Sequence, residues 1–135
     1  MFVGMNPSVA DLEVDDPTVR KECNLAKRWG YGGLIKCNVM DYRATNPKQL
    51  LSQSCVSSDQ NLVTIAEQLL LVDTVVAAWG RLPAVLQSHA DAALKLCLTS
   101  AVKLLCLGRN QDGSPRHPLY LSYSTPLEPY QGKTV

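Results

Sequence analysis

Four short apolar segments of this 135-residue chain each end in residue types that bind ligands, namely glycine, asparagine, tryptophan and arginine. These clusters fall at residues 4–8, 38–43, 79–81 and 108–110, and a fifth cluster at 116–118 contains a histidine. In an open parallel sheet the carboxyl ends of the strands share one edge, and ligands bind in the crevice outside that edge. We therefore expect the clusters to meet in one cleft.

The turn after the first apolar segment contains Gly4, Asn6, Pro7 and Ser8. Glycine lets a ligand approach closely, proline fixes the turn, and asparagine and serine both donate and accept hydrogen bonds. Such a turn can position a water molecule or hold a phosphate or a base edge, or its polar side chains can simply satisfy local backbone groups. Asp11, in the following loop, is a candidate general base or magnesium ligand, or a solvated acid.

Asn38, Tyr42 and Arg43 follow the second apolar segment. An asparagine amide suits the polar edge of a nucleobase, a tyrosine can stack on the ring, and an arginine can pair with a phosphate. The structural alternative is that Asn38 bridges loops, Tyr42 packs on the rim of the core and Arg43 forms a salt bridge. The sequence leaves both interpretations open.

Trp79 and Gly80 follow the third apolar segment. The tryptophan can wall a pocket, although tryptophan at this position is more often part of the core edge. Gly80 predicts a tight turn into the next helix, whose N-terminus could support an anion.

Arg109 and Asn110 follow the fourth segment and lead into the loop that carries Arg116 and His117. Histidine is the usual acid, base or hydrogen-bond donor near neutral pH, and the neighbouring polar residues favour a functional role for His117. His89 lies in the middle of a predicted helix without such neighbours and is interpreted as structural or solvated.

The composition predicts one domain over residues 1–135, because 46% hydrophobic residues are enough for a core. A formal net charge of +1 gives no general attraction to nucleic acid or membrane, and no apolar run approaches the roughly 20 residues of a membrane helix. Five cysteines without a C-x-x-C pair predict free thiols in a reducing cytoplasm. We expect no metal and no cofactor. Because the first strand begins at Met1, we also expect a native N-terminal segment to precede it.

The order of elements predicts a three-layer α/β/α fold with a central, mainly parallel, four-stranded sheet. The predicted strands are 1–5, 34–39, 73–79 and 102–107, and a further short strand is expected at 119–122. The predicted helices are 16–29, 47–52, 58–71 and 82–98. Asp16 followed by Pro17 is typical of a helix start, and the spacing places Val19, Cys23 and Ala26 on the buried face of that helix.

Several motifs jointly resemble domain-of-unknown-function family 1643, which occurs in bacteria and phages. They are Gly-x-Asn-Pro-Ser at 4–8, Asp-Asp-Pro-Thr at 15–18, Trp-Gly-Tyr-Gly-Gly at 29–33, Asn-Val at 38–39 with Tyr-Arg-Ala-Thr at 42–45, Ala-Ala-Trp-Gly at 77–80 and Arg-His-Pro-Leu-Tyr at 116–120. The resemblance spans nearly the whole chain and implies no established activity.

A second resemblance, to the uracil-DNA glycosylase superfamily, rests on Gly4, Asn6 and Pro7, then Asn38 with Arg43, Gly80, and His117 with Pro118, in that order. It implies that Asn6 positions the attacking water, Asn38 reads the base edge and His117 stabilises negative charge on the departing base. The pattern departs from that superfamily, because the His-Pro pair is not directly at the end of the fourth strand and Leu119 replaces the usual serine.

Three functions remain open from the sequence. The chain is an N-glycosylase-like hydrolase acting on a base in DNA or in a free nucleotide, a non-catalytic nucleotide- or nucleic-acid-binding module, or a structural protein without a small ligand.

Overall fold

The computed structural model describes residues 1–7, 16–44, 46, 48–53 and 55–133. The strands are β1 (Phe2–Gly4), β2 (Lys36–Asn38), β3 (Thr74–Ala77), β4 (Lys103–Cys106) and β5 (Glu128–Pro129). The helices are α1 (Pro17–Arg28), α2 (Lys48–Leu51), α3 (Asp59–Leu69) and α4 (Gln87–Leu98), and a 3₁₀ turn (Ala84–Leu86) precedes α4.

The sheet has the order β2-β1-β3-β4-β5, with the first four strands parallel and β5 antiparallel to β4. The mixed α/β class and the mainly parallel sheet are therefore confirmed, but the predicted count of four strands is wrong because β5 adds a fifth. The strand expected at 119–122 is also wrong. That stretch forms a turn in which the Leu121 amide donates to the Pro118 carbonyl at 3.1 Å.

Helices cover both faces of the sheet. On one face, Ile65 and Leu69 of α3 and Ala93 of α4 pack in one apolar cluster with strand residues such as Val75 and Ala77. On the other face, Leu25 of α1 packs with the strand residues Phe2 and Val76 and with Leu107, which directly follows β4. The alternation of strand side chains between the faces produces these two cores.

Helix α1 begins as predicted, because the Asp16 carboxylate accepts hydrogen bonds from the backbone amides of Thr18 and Val19 at 2.9 and 3.2 Å. Its buried face differs from the prediction. Glu22, Leu25 and Ala26 are buried, whereas Val19 and Cys23 are only half-buried. A buried glutamate is the reason that the apolar spacing was misleading here.

The strand order places a topological switch point at β1. The chain leaves β1 through α1 to reach β2 on one side, and β3 lies on the other side of β1. Such points leave a crevice at the carboxyl ends of the neighbouring strands. No helix within the described residues is long and apolar enough to span a membrane.

Candidate functional site

A cavity of about 280 Å³ lies outside the carboxyl ends of β1 and β2. We call it the Asn38 cleft. Its lining comes from the two strand ends, the start of α1, the loop after β2 and the histidine loop: Gly4, Met5, Asn6, Pro7, Asp16, Thr18, Val19, Lys36, Asn38, Arg43, Ala44 and His117. Six of the predicted site residues therefore come together, namely Gly4, Asn6, Pro7, Asn38, Arg43 and His117.

Gly4 lies at a position where there is no space for a side chain. A Cβ added there would lie 2.5 Å from Lys36 Nζ and 2.8 Å from Asn38 Oδ1. Both distances are far below ordinary van der Waals contact, so a side chain would displace these two polar groups. The lack of a side chain at Gly4 leaves space for an ammonium group and an amide oxygen side by side.

Lys36, which lines the cleft, forms an ion pair with Glu22 of α1. Lys36 Nζ donates to Oε1 and Oε2 of Glu22 at 2.8 and 3.0 Å. The Glu22 side chain is fully buried and that of Lys36 is 23% exposed. Burial raises the pKa of Glu22, and the Lys36 charge opposes that increase. The pair joins α1 to β2 and holds the ammonium group of Lys36 at the wall of the cavity.

The Asn38 side chain carries an unsatisfied acceptor. Within the described residues, its buried Oδ1 has no hydrogen-bond partner. Its backbone carbonyl, by contrast, accepts from Asn61 Nδ2 at 2.9 Å. A buried polar atom without a partner costs about 1–3 kcal/mol, so such atoms in folded proteins mark places where a water, ion or ligand binds.

Asn6 holds the neighbouring loop. Its Nδ2 donates to the backbone carbonyls of Pro7, Tyr42 and Ala44 at 3.0, 3.3 and 2.9 Å. The NH₂ group of Asn6 therefore satisfies local backbone groups, which is the structural alternative for this side chain. Oδ1 is the atom of the Asn6 amide through which a water or ligand would be contacted.

His117 reaches the cleft because Gly80 makes room for it. Gly80 has a φ of 73°, and a Cβ added to it would lie 3.4 Å from the Cβ of His117. His117 follows β4 at some distance along the chain, yet the Gly80 turn brings it to the end of β3. Gly80, which was predicted as a ligand-binding residue, does not line the cavity and instead makes room for His117.

The imidazole of His117 is placed as a neutral hydrogen-bond donor. Its Nδ1 accepts from the Leu119 amide at 3.3 Å, which leaves the proton on Nε2. Loss of surrounding water and the positive charge of Lys36 lower the pKa of His117, and Asp16 opposes this effect. Both effects favour the neutral form.

Two predicted residues near the cleft do not line it. Tyr42 is half-buried and packs against the main core. Trp79 is 3% exposed and lies edge-on to Tyr130, with ring centroids 5.9 Å apart. The expectation that Trp79 walls the pocket is corrected accordingly, because its ring completes the core beneath the strand ends.

Arg109, Asn110 and Arg116 line a different and shallower polar cavity of about 460 Å³. The chain after β4 forms a small hairpin, in which Arg109 bridges Pro115 and Asn110 Nδ2 donates to Ser114 Oγ at 2.9 Å. The expectation of a single cleft is corrected here, because these three residues line this second cavity and not the one that contains Asn38.

Asp112 stabilises that hairpin. Its Oδ1 accepts from the amide and the hydroxyl of Ser114 at 3.0 and 2.5 Å, and these bonds lower the pKa of Asp112 to about 2. Arg81 and Lys133 lie within 3.5 Å of the other carboxylate oxygen. The hairpin therefore has its own polar anchor, separate from the Asn38 cleft.

Ser8 and Asp11, which were predicted as site residues, lie outside the described residues. Within the described part of the chain, no group of three histidine, cysteine, aspartate or glutamate side chains could hold a metal. A further cavity, of about 320 Å³ and mainly apolar, lies at the opposite edge of the sheet near Phe2 and Trp29. It contains none of the predicted site residues.

The family model of DUF1643, described as a protein of unknown function, matches residues 1–119. The chain belongs to this family. No curated protein and no solved structure matches it significantly. The matched segment includes every described residue of the Asn38 cleft, so the cleft is part of the DUF1643 domain.

Sequence reasoning missed two residues of this DUF1643 site, Lys36 and Glu22. Lys36 interrupts the apolar segment Leu34-Ile35-Lys36-Cys37, and a charged residue inside a strand covered on both faces needs a partner. That signal was available. Glu22 gave no comparable signal, because a glutamate in an amphipathic helix is usually solvated.

Proposed function

We propose that the Asn38 cleft binds a nucleobase or nucleotide, either free or within a nucleic acid. The observation that carries the proposal is Asn38, which lines the cavity and whose buried Oδ1 has no hydrogen-bond partner within the described residues. An asparagine amide presents an acceptor beside two donors and matches the mixed polar edge of a base. His117 and Arg43 add a further donor and a cation at the same cavity.

The polar lining favours a ligand site over a purely structural role. Lys36, Asp16, Arg43 and His117 all line the cavity, whereas a cleft kept only for assembly would be apolar and uncharged. The cavity volume of about 280 Å³ is near the lower limit for small-molecule sites, which run from about 300 to 1,000 Å³. That size suits a base rather than a large cofactor.

Hydrolysis of the N-glycosidic bond, in the manner of the uracil-DNA glycosylase superfamily, is the second candidate. Its supporting observation is His117, whose Nδ1 accepts from the Leu119 amide and whose lowered pKa favours the neutral form with the proton on Nε2. A neutral imidazole donor stabilises negative charge as it develops on a departing base. Water activation would fall to Asn6 Oδ1 or to Asp11, so this step has less structural support than recognition.

A binding titration tests the first candidate. We would titrate the protein with the common nucleosides, deoxyuridine, deoxyinosine and their 5′-monophosphates, and compare Asn38→Ala with Asn61→Ala. Asn38→Ala should fold with unchanged or higher stability, because it removes an unsatisfied buried acceptor, yet lose affinity at least tenfold. Asn61→Ala, the control, should lose stability and keep its affinity, because Asn61 Nδ2 supports the Asn38 backbone from outside the cavity.

A base-release assay separates binding from hydrolysis. DNAs and nucleotides containing uracil, hypoxanthine or mismatched bases would be incubated with wild type and with His117→Ala. Release by wild type that is abolished in the variant supports hydrolysis. Binding without base release supports a non-catalytic binding module. The proposal is contradicted if the protein neither binds any of these compounds nor releases a base from them.

A further inference from the structure

The buried ion pair between Glu22 and Lys36 has a cost that stability alone does not explain. Removing two charges from water is expensive, and hydrophobic residues of similar volume often stabilise a fold as well or better. Here Lys36 of the pair lines the same cavity as Asn38, whose buried Oδ1 has no hydrogen-bond partner within the described residues. Perturbed, desolvated charges in a cleft are typical of functional sites.

The geometry points to a role for the remaining hydrogen of the ammonium group. An ammonium has three N–H donors, and Glu22 accepts from Lys36 Nζ through both carboxylate oxygens. Nζ also lies 2.5 Å from the point where a Gly4 Cβ would stand, on the wall of the cavity. Within the part of the chain that the structure describes, one donor of Lys36 is thus left for a ligand.

We propose that Lys36 is the residue through which the Asn38 cleft binds an anionic oxygen of its ligand, and that Glu22 is the positioning residue that holds the ammonium there. This inference rests on the proposed function. Lys36 is a better anion site than Arg43, because Arg43 is exposed and charge interactions weaken in water.

The neighbouring amide narrows the class of ligand. Lys36 Nζ and Asn38 Oδ1 lie 2.5 and 2.8 Å from the same point, the ideal position of a Gly4 Cβ, so a ligand group bound near that point lies close to both atoms. Lys36 offers only donors, and Asn38 Oδ1 offers only an acceptor. The complementary group carries an anionic or strongly polarised oxygen beside an N–H or O–H. A phosphate monoanion has this arrangement, and so does a base edge with a carbonyl oxygen beside a ring N–H, where the negative charge on the oxygen is partial.

The test compares wild type with the double variant Glu22→Leu/Lys36→Met, which removes both charges without leaving either one unpaired. The control is Lys27→Met, on the exposed side of α1. Calorimetric titrations would use inorganic phosphate, deoxyuridine and deoxyuridine 5′-monophosphate. We expect the double variant to lose at least tenfold affinity, while Lys27→Met binds like wild type. Lys36→Arg, which keeps the charge, should retain part of the affinity.

The three probes identify the source of the anionic oxygen. If phosphate contacts Lys36, the double variant binds the monophosphate and inorganic phosphate more weakly than wild type does, and its affinity for the nucleoside is unchanged. If the base contacts Lys36, the double variant loses affinity for the nucleoside and the nucleotide to the same extent. Equal binding of the nucleotide by wild type and double variant overturns the role of Lys36 and leaves the proposed function intact. If wild type binds inorganic phosphate but neither the nucleoside nor the nucleotide, and the double variant does not bind phosphate, the proposed function is contradicted. The role of Lys36 as an anion site is then supported. No binding of any probe by wild type contradicts both.

Discussion

His117 lies against Gly80, with the Cβ of the histidine 3.4 Å from where a Cβ of Gly80 would be. Gly80 also has a φ of 73°, which side-chain-bearing residues adopt at a cost of roughly 1–2 kcal/mol. The end of β3 therefore determines the position of a side chain that the sequence places after β4. Arg116 has the same relation to Gly108, where a Cβ would lie 3.1 Å from Arg116 Cδ.

Gly80→Ala should reduce both stability and ligand affinity. The backbone strain lowers the free energy of unfolding by about 1–2 kcal/mol, and the new methyl group displaces His117 from the cleft. Gly30→Ala is the matched control, because Gly30 has a φ of 88° and nothing within 4 Å of an added Cβ. It should lose similar stability in urea unfolding and keep its affinity. Equal affinity loss in both variants would show that His117 position is not the cause.

Lys36→Met should make stability strongly dependent on pH. The variant leaves the fully buried Glu22 without its counter-charge, so the pKa of Glu22 rises further above its usual value. A carboxyl group whose pKa is raised in the folded state destabilises the protein as pH increases from about 4.5, the ordinary pKa of glutamate, through the folded pKa. At pH 7 the loss should be about 3–5 kcal/mol, as for other broken buried pairs.

Urea unfolding between pH 4.5 and 8 measures this dependence. Adding Glu22→Gln to Lys36→Met should remove most of it, since glutamine does not ionise. A Lys36→Met variant whose stability follows that of wild type across this range would contradict the assignment of Glu22 as the partner of Lys36.

Asn6→Ala should destabilise the protein. Its amide donates to three backbone carbonyls, and the loss of these bonds should reduce the free energy of unfolding by about 1–3 kcal/mol. Asn24→Ala, the control, removes an exposed amide that donates only to Tyr123 Oη in the described structure, and should be nearly neutral. If the urea concentration at the unfolding midpoint of Asn6→Ala equals that of wild type, the 42–44 loop is held by other contacts.

Gly4→Ala should impair binding more than stability. The added methyl group meets the ends of two side chains, Lys36 and Asn38, which can shift, so overpacking should cost about 1–3 kcal/mol. Their displacement should abolish measurable ligand binding. Gly33→Ala, where nothing lies within 4 Å of an added Cβ, should leave affinity unchanged. Wild-type affinity in Gly4→Ala would exclude Lys36 and Asn38 as ligand contacts.

The sequence predicted the elements whose signals are local. The apolar segments gave the four parallel strands, and Asp16-Pro17 gave the start of α1, because strand burial and helix capping depend on neighbouring residues. β5 was missed because a two-residue strand ending in Pro129 has no pattern of its own and exists only through its pairing with β4.

Part of the site was predictable for the same reason. Gly4, Asn6 and Asn38 lie directly at strand ends, and parallel strands bring such ends together. Arg109 and Asn110 also lie close to a strand end, yet they belong to the hairpin anchored by Asp112 and line a separate cavity. A long-range contact of this kind depends on tertiary structure and leaves no periodic signal in the sequence.

The most direct test of the central claim is a titration followed by NMR of the side-chain nitrogens of Asn38 and His117, using deoxyuridine 5′-monophosphate and the other monophosphates as probes. The account predicts saturable shifts of the Asn38 amide and of His117 Nε2, with no comparable change at Arg109 or Trp29. Saturable shifts confined to the Arg109 hairpin or to the apolar cavity near Trp29, or no shifts with any probe, would contradict it.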